Sequence, residues 1–567
     1  MSPGEARRKR SGKHTVQEEA WAMKIAFVRV AGNSAQPSAA VQRRWSIAGS
    51  GFVQGVFVRG SIGLICILLA ACNDSGDDHD AVATTGVTIG GLVSGLSGTG
   101  LQLQNNGGDT LAFGGNGSFT FTTPVATGSP YAVTVLTQPT SPAQSCFVSY
   151  GTGTAGTTNV TNVSVICRTI GQFAYTANNG SGNVSGFAIN PATGVLSPIP
   201  GNPVAVGASP AQVALTSNGK FAYVATSSGK QIAAFTIDPT SGALTPIPGS
   251  PFTTPFVKGQ PYPGIAVEPL NRFLYITSLN DGEIAGFAID ATTGALTPVP
   301  GSPYTAGANS SGLPAFSPGG YFVYVTNQGV AGSVTGFSVN QTTGALTPIP
   351  GSPFPAGNTP TWISITPSDQ FAYVSNTGSN SICAYAINTL TGALTQLPGS
   401  PYADGTQHPV DLTIDSAGAH LYVPNEDTNN ISVYAIDPNS GVLAAIAGSP
   451  FAAGAGPEFV DIEPTGRFAY VSSGLGNDVH GYSVDQTTGA LTPLPGSPYA
   501  AGADPRFVTV DPSGKFAYAA NEQSADISAY TIDGTTGVLT PIPGAPFTAG
   551  IDPFTVSISP EAPGIRD

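Results

Sequence analysis

Charge is scarce in this sequence. Only 9% of its 567 residues are Asp, Glu, Lys or Arg, against about 25% in an ordinary globular protein. The basic kind is nearly exhausted early. Ten of the 19 Lys and Arg residues fall in the first 60 positions, and from Cys72 onward 9 basic residues stand against 30 acidic ones, a net charge of −21. A surface of that sign repels nucleic acid and anionic lipid, and no basic stripe overrides it. Cysteine is also rare, with five in the whole chain, which excludes a disulfide-dense scaffold and a Cys-rich metal cluster. The marked apolar run SIGLICILLA, residues 61–70, is too short to cross a bilayer as a helix. No H-x-x-x-H or C-x-x-C spacing, P-loop, dinucleotide fingerprint or nucleophile elbow is present, so no metal or cofactor is implied.

Glycine (73) and proline (49) are plentiful. With 41% hydrophobic residues and a strong period, they read as turn-rich β structure rather than disorder. A phrase T/S-G-x-L with a Pro-rich tail, clearest as TGALTPIPGSP, recurs eight times, at Thr193, Ser241, Thr293, Thr343, Thr391, Ser440, Thr488 and Thr536. A second phrase keeps step with it: FAYTAN from Phe173, FAYVAT from Phe221, FLYITS from Phe273, FVYVTN from Phe322, FAYVSN from Phe371, HLYVPN from His420, FAYVSS from Phe468 and FAYAAN from Phe516. A period of about 50 residues made of short strands signals a β-propeller. In the second repeat the strands from inside outward are AQVALTS, FAYVAT, IAAFTI and ALTPIP. Phe221 and Tyr223 should face one neighbouring blade, Ala222 and Val224 the other, so that large meets small. Pro246 and Pro248 on the outermost strand should remove donors from the exposed edge. The first FAY phrase has no inner strand of its own before it. The stretch from Asp552 to Pro560 reads as an inner strand with nothing after it, so it should complete the first blade and give eight blades, with seven as the alternative.

Ahead of the propeller, residues 85–169 alternate apolar and polar positions between NNGGD and GGNGS turns, the pattern of a small antiparallel β-sandwich. It resembles, loosely, the Ig-like or prealbumin-like spacers of bacterial surface lipoproteins. Residues 1–71 read as an address. Arg43, Arg44 and Arg59 precede the apolar run, which ends in Leu69-Ala70-Ala71-Cys72. This resembles the bacterial lipobox, whose Cys is lipidated after cleavage; a plain secretory signal is the alternative. The leader is long enough to leave a start downstream of residue 40 open. Residues 72–84 form an acidic tether, in which His79 among Asp77, Asp78 and Asp80 reads as solvated spacer rather than metal site. Export permits a Cys146–Cys167 disulfide, and Cys383, in a strand, reads as a buried thiol. The resulting expectation is a monomer in the cell envelope, held to the membrane through lipid on Cys72.

The FAYV-x-N and TGALTPIPGSP phrases, with YVTN at residues 324–327, resemble the lactonase-family β-propellers, which include 6-phosphogluconolactonase-like proteins and YVTN-repeat surface proteins. The resemblance covers about 390 residues. It implies the fold and, as one possibility, lactone hydrolysis at the channel mouth. The enzymes are usually seven-bladed and often carry a Pro-His pair at the start of the inner strand. Here the aligned positions read Pro210, Tyr262, Ser311, Pro360, Pro409, Pro457, Pro505 and Pro553, and no His follows any of them. Two charges, Glu458 and Arg506, stand out at the next position, with His408, Asp411, Trp362 and Asp504 nearby. A lactonase needs a base for water and a donor for the oxyanion; Glu458 and Arg506, with His408 and Asp411 as weaker candidates, would supply them. The alternative is an ion pair tying two blades. His420 replaces a phrase Phe and reads as a core residue, and His480 as a loop residue. Asp281/Glu283 and Glu426/Asp427 have no specific calcium spacing. The acidic field also disfavours a phosphorylated lactone. Two functions follow: a binding module for a protein or glycan, which is favoured, and a hydrolase of a small-molecule sugar lactone.

Overall fold

The computed structural model describes residues 86–559 apart from 97, 140–143, 170–172, 227–229, 259–263, 308–311 and 404–406. The leader, Cys72 and the tether lie outside the described residues, as do Tyr262, Pro263 and Ser311.

Residues 86–169 build two four-stranded sheets. Alternate residues of both, among them Ile89, Val93, Leu101, Leu103, Val133, Val163 and Val165, share one apolar core. The expected all-antiparallel pairing needs a correction. Val160–Thr169 runs parallel to Ile89–Ser94, because the last strand returns beside the first after the chain has crossed both sheets, and alternation of apolar residues carries no information on direction. Cys146 and Cys167 stand opposite each other in the antiparallel pair Gln144–Ser149 and Val160–Thr169 and are bonded to each other.

The rest of the described chain forms eight sheets, each a blade of four successive strands, seven of them with a short further strand at the outer edge. Blade 2 is typical: Pro210–Leu215 innermost, then Phe221–Thr226, Gln231–Ile237 and Leu244–Pro246. In blade 1 the innermost place is taken by Ser557–Ser559, which pairs with Phe173–Asn178. The C-terminal strand thus closes the ring at eight blades.

The outer edge differs from expectation. Pro246 ends its strand, while Pro248 sits in an exposed turn. The edge then resumes at Phe252–Thr253, which pairs with the other end of Gln231–Ile237. Proline has no N–H to continue a ladder, so the edge loops out around it. Ser250 Oγ fills the gap by accepting from Ala234 N at 2.9 Å. Ser302, Ser352, Ser400, Ser449 and Ser497 do the same in later blades.

The two repeated phrases meet across the blade interfaces. The Tyr of one blade's FAY phrase donates its hydroxyl to the carbonyl of the Gly in the next blade's TGAL phrase: Tyr175 to Gly242, Tyr223 to Gly294, Tyr275 to Gly344, Tyr324 to Gly392, Tyr373 to Gly441, Tyr422 to Gly489 and Tyr470 to Gly537. Tyr518 of blade 8 donates to Gly194 of blade 1 and completes the circle. The Gly is fixed on two counts. Gly242 has φ +71°, and a Cβ there would lie 2.3 Å from the Phe173 ring. Phe173 and Tyr175 share their core with Ala222 and Val224 of blade 2, so large side chains do meet small ones.

Candidate functional site

The channel mouth is built by a short device repeated around the ring. In the six blades where it is described, the inner strand begins with a left-handed residue followed by Pro: Ser209, Thr359, His408, Gly456, Asp504 and Asp552, with φ between 50° and 61°. A non-glycine residue in this region costs about 1 kcal/mol or more, and Asp and Asn tolerate it best. After the Pro the register of the inner strand slips by one. The extra residue is Thr361 in blade 5, Glu458 in blade 7 and Arg506 in blade 8. A β-bulge re-aims its side chain out of the ladder, which is why these positions, and not their neighbours, present groups at the mouth.

Glu458 and Arg506 therefore meet from consecutive blades. Arg506 Nη1 donates to both Glu458 oxygens, at 3.0 and 2.9 Å. Its Nε donates to Glu522, and Asp504 Oδ1 lies 3.9 Å away. His408 Nδ1 is 2.7 Å from Glu426 Oε2 in blade 6. Glu426 and Glu522 occupy the same place in their blades, the residue after the Asn that ends the FAYV-x-N phrase. Each is tied by its N–H to the left-handed residue, Glu426 to the His408 carbonyl and Glu522 to that of Asp504. In blade 7 that place is Gly474, whose added Cβ would sit 2.5 Å from Glu458 Oε1 and 2.8 Å from Asp504 Oδ1. The missing side chain makes room for the acids. Glu522 and Gly474 escaped the sequence reading; the signal was an acid directly after Asn425 and again after Asn521.

Among the described residues, Glu426, Glu458, Asp504 and Glu522 thus bring four carboxylates to one guanidinium and one imidazole on this arc. Burial pushes the Glu458 carboxyl up to about 7; Arg506 opposes this, and Asp504 and Glu426 add to it. Burial works against the Arg506 charge, but Glu458 and Glu522 outweigh it and hold the guanidinium firmly protonated. The expected division of labour meets an obstacle here. Arg506 is engaged by two carboxylates on different blades, and its Glu458-facing nitrogen is not free to hold an oxyanion.

Below the bulges, aromatic rings follow the curve of the channel. Phe459 lies 4.7 Å from Phe507 between ring centroids, and Phe507 lies 5.1 Å from Phe554, crossing from blade 7 through blade 8 to blade 1. Trp362 of blade 5, half-buried, holds the same rung as Phe459 and Phe507, opposite Ser375 in its own sheet. Asp411 is on that rung in blade 6 but is sealed: it is 3% exposed, its Oδ1 has no partner, and burial pushes its carboxyl up to about 7. It lies apart from the mouth acids, against Thr413 and blade 7's Val460 and Asp461. His420 is a core residue, 2.8 Å from Asp415 through Nδ1, and its ring takes the phrase Phe's place beside Gly489. His480 lies in a strand rather than a loop, 3.2 Å from Asp478 and stacked on Tyr482; the GND turn ends just before it. Cys383 is buried and unpaired by disulfide. Among the described residues no group of His, Cys, Asp or Glu is arranged to hold a metal ion.

The family model described as "Lactonase, 7-bladed beta-propeller" matches residues 143–257, 172–362, 264–456 and 446–550. Among solved structures, a proposed 6-phosphogluconolactonase of Bacteroides fragilis is similar at 22% identity, covering 60% of this chain and 99% of its own, with a TM-score of 0.47. A second one, of Bacteroides uniformis, is 20% identical over 58% and 96%, with a TM-score of 0.46. A periplasmic gluconolactonase of Pseudomonas aeruginosa is 18% identical over 58% and 95%, also at 0.46. No curated protein matches. With its matches running from residue 143 to residue 550, more than half of its length, the chain belongs to the lactonase β-propeller family, and it closes its ring with eight blades instead of seven.

Proposed function

We propose that the propeller is a binding module of a cell-envelope lipoprotein, anchored through Cys72, and that the mouth over blades 6 to 8 takes a glycan. The observation that carries this reading is the engagement of Arg506 by Glu458 and Glu522. It ties blades 7 and 8 together and leaves a wall of carboxylates beside an aromatic arc. Carboxylates accept hydrogen bonds from sugar hydroxyls, and aromatic faces receive the apolar face of a pyranose. The same wall repels a phosphorylated ligand.

A lactone hydrolase is the second reading. It is favoured by the family and by a Glu458 carboxyl that titrates near 7, where an acid–base catalyst works best. A pH-stat assay of the full chain on neutral and phosphorylated lactones, with spontaneous opening subtracted, separates the two. We expect no turnover from folded protein, and retention of a neutral oligosaccharide on a glycan array that Arg506→Ala abolishes. Turnover that disappears in both Glu458→Gln and Arg506→Ala would replace the binding reading with hydrolysis.

A further inference from the structure

The sandwich and the propeller belong to one compact unit, and two links between them lie on opposite sides of the ring. The covalent link is at blade 1. Residues 170–172 separate Thr169, the end of the sandwich's last strand, from Phe173, which opens blade 1, a span of about 14 Å at full stretch. Phe173 begins its strand at the end away from the mouth, because Asn178 at the other end bridges to Pro553. The sandwich therefore joins the lower face of the propeller. The second link is four blades on. Tyr150 sits at φ +57° between the strands Gln144–Ser149 and Thr152–Thr154. Its hydroxyl is pushed up by burial first, then by the Asp369 carboxylate and Tyr321. Asp369 and Tyr321 stand in the lower turns of blades 5 and 4, each between the innermost strand and the FAY phrase.

Asp369 differs from its counterparts in the other blades. Its left-handed place, φ +58°, is filled by Gly219, Gly320, Gly418, Gly466 and Gly514 in five of them. In blade 3 the residue is Asn271, which accepts from Ser217 N of blade 2 at 2.7 Å and donates to Ser217 Oγ at 2.6 Å. The place of Ser217 is taken in blade 4 by Pro318, which has no N–H to give. Asp369 Oδ1 accordingly has no hydrogen-bond partner among the described residues. Yet Asp369 is 6% exposed, between an exposed Ser368 and an exposed Gln370. A buried acceptor left open is costly, and a tyrosine hydroxyl is a donor of the kind it lacks. In a ring of eight, blade 5 stands opposite blade 1. Both links engage the inner strands of the lower face, so a body held at both crosses the channel between them. We propose that the sandwich lies across the lower opening of the channel, with Tyr150 seated over Asp369, so that the channel is blind and the mouth is its entrance. This concerns access to the channel and does not rest on the glycan reading.

The test is crosslinking in the full chain. Thr152→Cys, beside Tyr150, is combined with Gln370→Cys on the blade 5 turn, or with Lys220→Cys or Lys515→Cys at the same place in blades 2 and 8, which flank blade 1. All four side chains are exposed. A short bifunctional maleimide joins each pair, and mass spectrometry of the linked peptides reads the rate. The pair with Gln370→Cys should link about tenfold faster than either of the others, because a seated domain holds its two thiols at a higher effective concentration than a swinging one. Adding Asp369→Gly, which gives blade 5 the residue that five other blades carry at this turn, should remove most of that advantage while the propeller stays folded. Equal rates for the three pairs, or faster linking to blade 2 or blade 8, would overturn the crossing. An advantage for Gln370→Cys that survives both Asp369→Gly and Tyr150→Ala would overturn the seat.

Discussion

Blades 2 and 8 share one frame and differ at their mouths. In blade 2 the bulge region reads Pro210-Ala211-Gln212; in blade 8 it reads Pro505-Arg506-Phe507. Both have the left-handed residue, the slipped register and the Tyr–Gly tie to the next blade, and both interrupt the outer edge at the same place, over Ser250 in blade 2 and Ala545 in blade 8. Only blade 8 presents a cation, and only around it are carboxylates gathered. The frame therefore specifies where a side chain is displayed, and the single residue at the bulge decides what is displayed. Substitutions in the frame should behave alike in every blade, whereas those at the mouth should matter on one arc alone.

The largest effect should come from the frame. Gly242→Val and Gly537→Val each place a Cβ at positive φ about where a Phe ring already lies, 2.3 Å away in both cases. Left-handed strain and overpacking add, so each should cost about 3 kcal/mol or more, read from urea melts. The comparison breaks if Gly537→Val, in the blade that carries Arg506, costs several times as much as Gly242→Val.

A smaller effect comes from the buried carboxyls through pH; Asp369 of blade 5, also raised to about 7 by burial, contributes beside those of blades 6 and 7. Asp411 is ordinarily ionised above about 3.8, but burial raises it to about 7; Glu458 moves in the same direction. Folding favours the protonated form, so this contribution is complete below the ordinary value and disappears as pH rises through 7. The Tm of the full chain should fall by several degrees between pH 5 and pH 8. Asp411→Asn, which keeps the shape but cannot ionise, should flatten the slope. A slope as steep in Asp411→Asn as in the natural chain would place the pH sensitivity elsewhere.

Much of this frame could be read from the chain before any coordinates. Eight phrases of one pattern, seven opening on Phe and one on His420, spaced 48 to 52 residues apart, need eight blades, and an orphan inner strand from Asp552 has one place to go. The pairing of Tyr175 with Gly242 could not be read, because it joins different phrases in different repeats, 67 residues apart. The outward loop at Pro248 could not be read either, because a proline-rich edge can run on or loop out; blade 8 loops out alike with Ala545 where blade 2 has Ser250, so the hydroxyl fills the gap without deciding it. At the mouth, aligning the repeats brought Glu458 and Arg506 to one position. Glu522 was invisible to that alignment since it comes from the next strand over. Asp411 shares the rung below Glu458 and not its surface, a difference of one residue in register that sequence spacing does not resolve.

The smallest effect tests the frame where it is least regular. Seven of the eight Tyr–Gly ties measure between 2.7 and 2.9 Å, while Tyr422 to Gly489 measures 3.4 Å. In the same blade His420 stands where the other phrases have Phe or its equivalent, and its ring lies against Gly489 with Nδ1 held by Asp415. The imidazole is thus anchored from two sides, and the tyrosine hydroxyl reaches Gly489 at a longer distance. A neutral hydrogen bond of ordinary length contributes about 1 kcal/mol net, and one stretched this far contributes much less. Tyr→Phe at positions 175, 223, 470 and 518 should therefore each lower stability by about 1 kcal/mol, and Tyr422→Phe by about half of that or less. Replacing His420 by Phe restores the common phrase, so in that background Tyr422→Phe should cost as much as at the other positions. If the cost at 422 stays small there, the weak tie belongs to blade 6 itself and not to its histidine.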